Sequence, residues 1–138
     1  MEPKQIIIHH SLTKDGRTVS WNAIREYHIS HNHFYTIGYH YGIELINSHY
    51  EILVGRTMDK QGAHTKNHNY ESLGICFVGN FDIEDVPLEQ WKLGIDLVKS
   101  LCNILNIKIV KGHNEYTGYK TCPGKRFDMN QFRNDLLI

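Results

Sequence analysis

Two short apolar runs constrain the fold of this chain more than any other feature. Residues 5–10 carry three consecutive isoleucines, and residues 73–79 are apolar throughout and punctuated by glycines. Short runs of this kind, without polar alternation, are typical of strands buried on both faces. We therefore predict two buried strands, 5–10 and 73–79, the second of them central in the sheet.

Apolar spacing predicts three helices around these strands. In the first, Trp21, Ile24 and either Tyr27 or His28 recur at helical spacing behind Ser20 or Thr18 as a cap. In the second, Pro87 suits the first turn, and apolar side chains follow at three- and four-residue steps: Leu88, Trp91, Ile95, Val98, Leu101, Cys102 and Leu105. The third is expected over residues 129–137, with Asp128 as its cap.

A hairpin and a short strand complete the predicted sheet. Residues 39–46 and 50–54 have an extended pattern on either side of a turn at Asn47-Ser48, and residues 107–110 form a further strand. Strands and helices alternate irregularly, so we expect an α/β fold of mixed α+β type, with helices on both faces of a mixed sheet. A length of 138 residues predicts a single domain over residues 1–138.

Composition narrows the partners and the compartment. Fifteen Lys and Arg balance fifteen Asp and Glu, so no net field draws the chain to nucleic acid or an anionic membrane. Three cysteines without paired spacing argue against a disulfide framework. No signal peptide or apolar run of membrane-spanning length is present, so we expect cytoplasmic synthesis and no membrane insertion.

The turn-rich stretch 112–124 carries the residues best suited to chemistry. It contains His113 and Cys122, and imidazole plus thiolate is a ligand pair that zinc favours. A third ligand is expected from His9 or His10, where the first strand ends. Strand alternation lets only one of the two face the site, and periodicity does not decide which.

A zinc ion with three protein ligands and one open position implies hydrolysis. Such an ion lowers the pKa of a bound water toward about 7. Lys120 and Tyr39 are candidates to stabilise the oxyanion that forms when water attacks a carbonyl. His10 and His40, which neighbour site residues in sequence, are candidates to orient a ligand. Glu115 is expected to have a structural role.

Five sequence blocks in order resemble the zinc-dependent type 2 N-acetylmuramoyl-L-alanine amidases, a family that includes phage lysins and animal peptidoglycan recognition proteins. The blocks span most of the chain, from Ile6 to Phe127. They are Ile8-His9-His10-Ser11, Gly38-Tyr39-His40-Tyr41, Gly62-Ala63-His64-Thr65 with Asn69 and Ser72-Leu73-Gly74-Ile75, Val78-Gly79-Asn80-Phe81, and Gly112-His113-Asn114-Glu115 with Lys120-Thr121-Cys122-Pro123-Gly124.

The resemblance implies a role for each matching residue. It selects His9 over His10 as a Zn²⁺ ligand, beside His113 and Cys122. It implies that Tyr39 is catalytic and that Lys120 assists, as a lysine does in the phage lysin branch. It also implies that His64 and Asn69 contact the stem peptide of the substrate.

The implied function is hydrolysis of the amide between N-acetylmuramic acid and L-alanine in peptidoglycan. A monomeric phage endolysin that reaches the cell wall after release is expected, or a recycling enzyme that stays in the cytoplasm. The alternatives are a non-catalytic peptidoglycan-binding module, a zinc peptidase that cuts within the stem peptide, and a zinc-stabilised interaction protein that restrains a phage polymerase. Two stretches depart from the family pattern: Thr117-Gly118-Tyr119, which leaves the path of its loop open, and Asn67-His68, which leaves open the contact of its loop with the substrate groove.

Overall fold

The structure, a computed structural model, describes residues 1–12 and 20–137. In these ranges five strands form one sheet: β1 (Gln5–His10), β2 (Tyr41–Ile46), β3 (His49–Val54), β4 (Ser72–Phe77) and β5 (Ile109–Gly112). The helices are α1 (Trp21–Ser30), α2 (Leu88–Leu105) and α3 (Met129–Leu136). No helix in the two described ranges combines the length and apolar composition needed to cross a bilayer.

The sheet is mixed, as predicted. Its strand order is β3-β2-β4-β1-β5, with β4 in the centre, and only the β2–β3 hairpin is antiparallel. Every residue of β1 and β4 is buried, which confirms both strands inferred from the apolar runs. Because β1 lies between β4 and β5, the end of the first strand is next to the segment that follows the last one.

Helices cover both faces of the sheet, also as predicted. On one face, Ile6 and Ile8 of β1 and Phe77 of β4 pack in a core with α2 and α3. On the opposite face, Cys76 packs with Trp21 of α1 in a second, smaller core. We call this second side the α1 face.

Helix α1 begins where its cap was predicted. The Ser20 side chain accepts a hydrogen bond from the Ala23 N–H at 3.0 Å, which satisfies a donor that the first turn leaves free. The buried carboxylate of Glu44 accepts from the Trp21 N–H at 3.1 Å, so β2 also holds this helix end. The alternative cap, Thr18, lies outside the described residues.

The apolar spacing of α2 also predicts that Leu88 faces the sheet with the other apolar residues, and this prediction is wrong. Leu88 is 65% exposed, and Gln90 is fully buried instead. The Gln90 side-chain amide donates to the backbone carbonyls of Ile43 and Val78, at 2.9 and 3.2 Å. A leucine could not supply those donors, which explains why the helix turns a glutamine toward the sheet.

Strand β5 begins two residues later than predicted. Asn106 adopts a left-handed conformation after α2, and the Ile107 N–H donates to the Cys102 carbonyl at 3.0 Å. This closes the helix and delays the strand. Helix α3 is capped by Asp128 as predicted, through a 3.0 Å hydrogen bond from the Gln131 N–H.

We predict that Gly94→Ala destabilises the fold. A Cβ atom on Gly94 would lie 2.2 Å from Cζ of the fully buried Phe77 ring, so helix and strand must separate. The expected loss is about 1–3 kcal/mol in the free energy of unfolding, measured by urea denaturation. Ser100→Ala, at an exposed position of the same helix, is the control and should be neutral or slightly stabilising. Equal stability of Gly94→Ala and the unmodified chain would contradict this packing.

Candidate metal centre and active site

The side chains of His9, His113 and Cys122 converge at one point. Each offers a ligand atom, and these atoms all lie within 4.8 Å of one another. The β1–β5 register pairs Ile8 with Gly112, so the histidines that follow sit side by side, with ring centroids 4.7 Å apart. Cys122 Sγ lies 3.6 Å from His9 Nδ1. The group could therefore hold a metal ion.

The segment after β5 folds back to deliver its second ligand. Residues His113–Glu115 form a short 3-10 turn, and the Asn114 N–H donates to the Cys122 carbonyl at 2.7 Å. Glu115 has the structural role that was expected. Its carboxylate accepts from the Gly112 N–H at 2.8 Å and from the Arg133 guanidinium at 2.7 Å.

Of the two histidines that end β1, His9 faces the other two members of this group. His10 points the opposite way, where its Nδ1 accepts from the Phe81 N–H at 3.0 Å and its ring stacks on Phe81. His10 still reaches the site through its backbone, because its N–H donates to Cys122 Sγ at 3.4 Å.

A chain of hydrogen bonds sets the tautomer of His9. The Ser72 hydroxyl donates to the His68 carbonyl at 2.7 Å, so toward His64 Nε2, 3.4 Å away, it acts as an acceptor. His64 Nδ1 then accepts from His9 Nε2, at 2.9 Å. His9 Nδ1 is left with its lone pair directed toward Cys122, which is the orientation a metal ligand requires.

Two residues of this hydrogen-bond network, Ser72 and Thr65, are not predicted from the sequence. Thr65 is buried, and its hydroxyl lies 3.0 Å from His64 Nδ1 and 3.3 Å from His9 Nε2. Both residues stand inside sequence blocks that the family resemblance used. Their proximity to His64 in sequence is the only local sign of this role.

The other residues predicted for the site lie around the hydrogen bonds that join Ser72, His64 and His9. His40 bridges two backbone groups, with Nδ1 accepting from the Gly74 N–H at 3.0 Å and Nε2 donating to the Lys60 carbonyl at 2.8 Å. Its ring centroid is 5.9 Å from that of His64 and does not touch the three converging ligands. The Asn69 side-chain oxygen accepts from the N–H groups of His64 and Thr65, at 2.9 and 2.8 Å.

Tyr39 lies on the α1 face beside the ligands. Its ring centroid is 5.2 Å from that of His9, and it stacks on Trp21 at 6.3 Å. Burial raises the pKa of Tyr39 well above its usual value, and the neighbouring thiols of Cys76 and Cys122 raise it further. A hydrogen bond to Cys76 also raises this pKa, so the phenol is protonated at neutral pH and its proton is directed to the Cys76 sulfur.

The histidines of the site are neutral. Burial, assisted by Lys120, lowers the pKa of His113 to about 4, and burial lowers that of His9 well below its usual value. Burial, with a smaller effect of the Asp82 charge, also raises the pKa of Cys122 to about 12, although the His10 N–H and Lys120 act against this shift. Neutral imidazoles can donate lone pairs to a cation, and a bound cation would stabilise the thiolate form of Cys122, which burial otherwise disfavours.

The ligands face an open cleft of about 740 Å³. Lys120 is exposed at its rim, and His64 and Asn69 line it as well. Tyr119, in the loop whose path the sequence left open, is 86% exposed on the same rim. The other loop that departs from the family pattern turns at Asn67, and the His68 ring stacks on Tyr116 at 3.9 Å.

We predict that the metal-free chain loses stability as the pH falls below about 6.5. The folded-state pKa is about 4 for His10 and His113 and about 3 for His64, below the 6.5 of an unperturbed histidine. The unfolded chain then binds more protons, and the free energy of unfolding falls by about 1.4 kcal/mol per pH unit for each proton. This contribution is fully present above pH 6.5 and is lost as the pH falls through the folded-state values.

Urea denaturation with a chelator at pH 7 and pH 5 measures this loss. His64→Gln should reduce the pH dependence by about one proton, because it removes one buried imidazole. His31→Gln, at an exposed histidine, should leave it unchanged. The same free energy of unfolding at both pH values would contradict the burial of neutral imidazoles.

Comparison with known proteins identifies one family for this chain. The family model described as N-acetylmuramoyl-L-alanine amidase matches residues 1–125. The endolysin of Klebsiella phage KP32 is 28% identical over 99% of this chain and 90% of its own length. The endolysin of Escherichia phage T7 is 29% identical over 96% of this chain and 87% of its own length.

Solved structures give the same result for the fold. The N-acetylmuramoyl-L-alanine amidase LysC from Clostridium intestinale URNW superposes with a TM-score of 0.88 and 28% identity, covering 99% of this chain and 87% of that one. Apis mellifera PGRP-SA superposes with a TM-score of 0.82 at 22% identity, which shows the shared fold alone. The family match, the relatives that align over most of their length and the shared fold together show that this chain belongs to the N-acetylmuramoyl-L-alanine amidase family.

Proposed function

We propose that this amidase uses zinc held by His9, His113 and Cys122 to hydrolyse the amide between the lactyl group of N-acetylmuramic acid and L-alanine in peptidoglycan. The observation that carries the proposal is the convergence of these three ligands at an open cleft, in a chain of the amidase family. The endolysin relatives support a role in degrading the cell wall during phage lysis.

The donor set fits zinc. Tetrahedral geometry with Zn–N of about 2.0 Å and Zn–S of about 2.3 Å separates the two donor atoms by about 3.5 Å. His9 Nδ1 and Cys122 Sγ are 3.6 Å apart. When bound there, zinc supplies a Lewis acid that activates water and polarises the substrate carbonyl.

The side chains around the ligands supply hydrogen bonds and charge. Tyr39 holds its proton at neutral pH, so its hydroxyl can donate to the oxyanion that develops on the amide carbonyl, in place of its hydrogen bond to Cys76. The Lys120 ammonium adds positive charge at the rim of the cleft, where the same oxyanion is stabilised. His64 keeps the His9 tautomer fixed throughout, because Ser72 holds the proton on His64 Nε2.

The substrate would occupy the open cleft. The Asn69 side-chain oxygen is already used by two backbone N–H groups, so a contact with the stem peptide would come from its NH₂ group. His64 uses both nitrogens internally, so it would contact peptide through ring carbons. We propose that the enzyme acts as a monomer, after it has been released to the cell wall.

We predict that Cys122→Ser abolishes zinc binding and amide hydrolysis together. Replacing the thiolate removes the only charged ligand of the proposed set, which zinc prefers to a hydroxyl. Elemental analysis measures bound zinc, and mass spectrometry of digested cell walls measures new L-alanine N-termini. The control is Cys102→Ser, which replaces a buried thiol of α2 on the opposite face of the sheet from the site and should retain zinc. A fully active Cys122→Ser would contradict the proposal, and zinc binding by the unmodified chain without hydrolysis would instead favour a recognition module.

We predict that Lys120→Ala and Tyr39→Phe retain zinc but lower kcat by about 100- to 1000-fold, the usual effect of losing one oxyanion donor. Neither residue belongs to the proposed ligand set, so zinc content should stay near that of the unmodified chain. Lys125→Ala removes an exposed lysine of the same segment and should leave kcat unchanged. An unaltered kcat in both variants would show that neither group stabilises the oxyanion.

A further inference from the structure

The loop that follows β4 and contains Asp82 is hydrogen-bonded to the segment that carries Cys122. Asp82 Oδ2 accepts a hydrogen bond from the Thr121 hydroxyl at 2.9 Å, and Asp82 Oδ1 accepts from the Lys125 N–H at 2.9 Å. These two donors flank Cys122, one on each side in sequence. A single carboxylate therefore spans the residues around the proposed ligand.

The backbones of the two segments are also in close contact. The Arg126 N–H donates to the Phe81 carbonyl at 2.7 Å. Gly124 has a positive φ of 125°, and a Cβ there would lie 2.5 Å from the Phe81 carbonyl carbon. Only glycine permits this approach, so the chain keeps Asp82 within reach of both its donors.

The same loop is connected to the end of β1. The Phe81 N–H donates to His10 Nδ1 at 3.0 Å, and the His10 N–H donates to Cys122 Sγ at 3.4 Å. The loop after β4 thus contacts both segments that carry proposed ligands. Its position fixes where the Cys122 sulfur lies relative to the end of β1.

Asp82 acts as an acceptor in this arrangement. Partial burial raises its pKa, but the hydrogen bonds from Lys125 and Thr121 outweigh that effect, and its pKa lies below the usual value. The carboxylate is ionised at neutral pH, and hydrogen bonds to an ionised acceptor are stronger than those between neutral groups.

We propose that Asp82 is a positioning residue for the metal centre, which holds Cys122 Sγ in line with His9 and His113 by anchoring Thr121 and Lys125. The inference rests on the proposed function, because it concerns the affinity of the proposed zinc site. The Asp82 hydrogen bonds go to Thr121 and Lys125, whereas on Cys122 itself the carboxylate acts through its charge, which raises the pKa of the thiol. The loss of Asp82 removes that charge as well as the anchoring, so the Thr121 variants, which keep the carboxylate, test the geometry of Cys122 alone.

The experiment measures the zinc dissociation constant by competition with a chromophoric chelator. Loss of a group that orients a metal ligand usually costs about 10- to 100-fold in affinity. We expect losses of this size for Asp82→Ala, and about 10-fold for Thr121→Val, which removes one of the two bonds. Thr121→Ser keeps the hydroxyl and should restore affinity to within about threefold. Asp85→Ala is the matched control, since the exposed Asp85 carboxylate forms an ion pair with the Arg126 side chain, and its loss should leave affinity unchanged.

A second measurement separates positioning from folding. Urea denaturation of each metal-free variant gives its stability, and amidase activity is measured at saturating zinc. Positioning predicts that zinc saturation restores most of the activity of Thr121→Val, and that Thr121→Val and Thr121→Ser differ in zinc affinity by more than they differ in stability. If Asp82→Ala fails to fold, the Thr121 pair gives the same comparison.

Two results with the variants would overturn the inference alone. One is a zinc affinity of Asp82→Ala and Thr121→Val within twofold of the unmodified chain. The other is an equal loss of affinity in Thr121→Ser and Thr121→Val. Zinc binding by the unmodified chain without amide hydrolysis would overturn the proposed function alone, because the affinity comparison stands without catalysis. Absence of zinc binding by the unmodified chain would overturn both.

Discussion

The parallel pairing of β1 with β5 is the constraint on which the candidate site depends. It joins residues more than a hundred positions apart and sets Ile8 opposite Gly112. His9 and His113 are the next residues along the chain, so the strand register itself places their rings in contact. The rest of the fold serves this pairing, since α2 and α3 cover one face of the strands and α1 covers part of the other.

The proposed ligands are largely removed from solvent, since His9 and His113 are buried and Cys122 is partly buried at the cleft. Burial keeps the imidazoles neutral and makes the Cys122 thiol hard to ionise. Neutral imidazoles and a thiol of this kind would suit a divalent cation such as zinc, which would favour the thiolate. The hydrogen-bonded chain from Ser72 through His64 to His9 removes the remaining freedom, the choice of tautomer.

Much of the fold could be predicted because its signals are local. The strands, the hairpin and the caps at Ser20 and Asp128 follow from runs of a few residues. The rotation of α2 could not be predicted, since it depends on backbone carbonyls that Gln90 meets across the sheet. Leu88 is as apolar as the residues that follow it at helical spacing, so spacing alone does not mark it as exposed.

The candidate site also has residues that local sequence predicts and residues that it does not. Residue chemistry pointed to His113 and Cys122, but alternation alone left His9 and His10 equivalent, and the choice requires knowing which face carries α1. Asp82 gave no signal in the sequence, because its partners lie about forty residues away in a loop. Contacts between loops follow from the tertiary fold and have no periodicity to detect.

X-ray absorption spectroscopy of the zinc-loaded protein identifies the atoms that bind the metal. We expect one sulfur at about 2.3 Å and lighter nitrogen or oxygen neighbours at about 2.0 Å, two of them imidazole. The sulfur should disappear in any zinc that Cys122→Ser retains. A first shell without sulfur, or one filled by four protein ligands, would rule out the proposed open site of His9, His113 and Cys122.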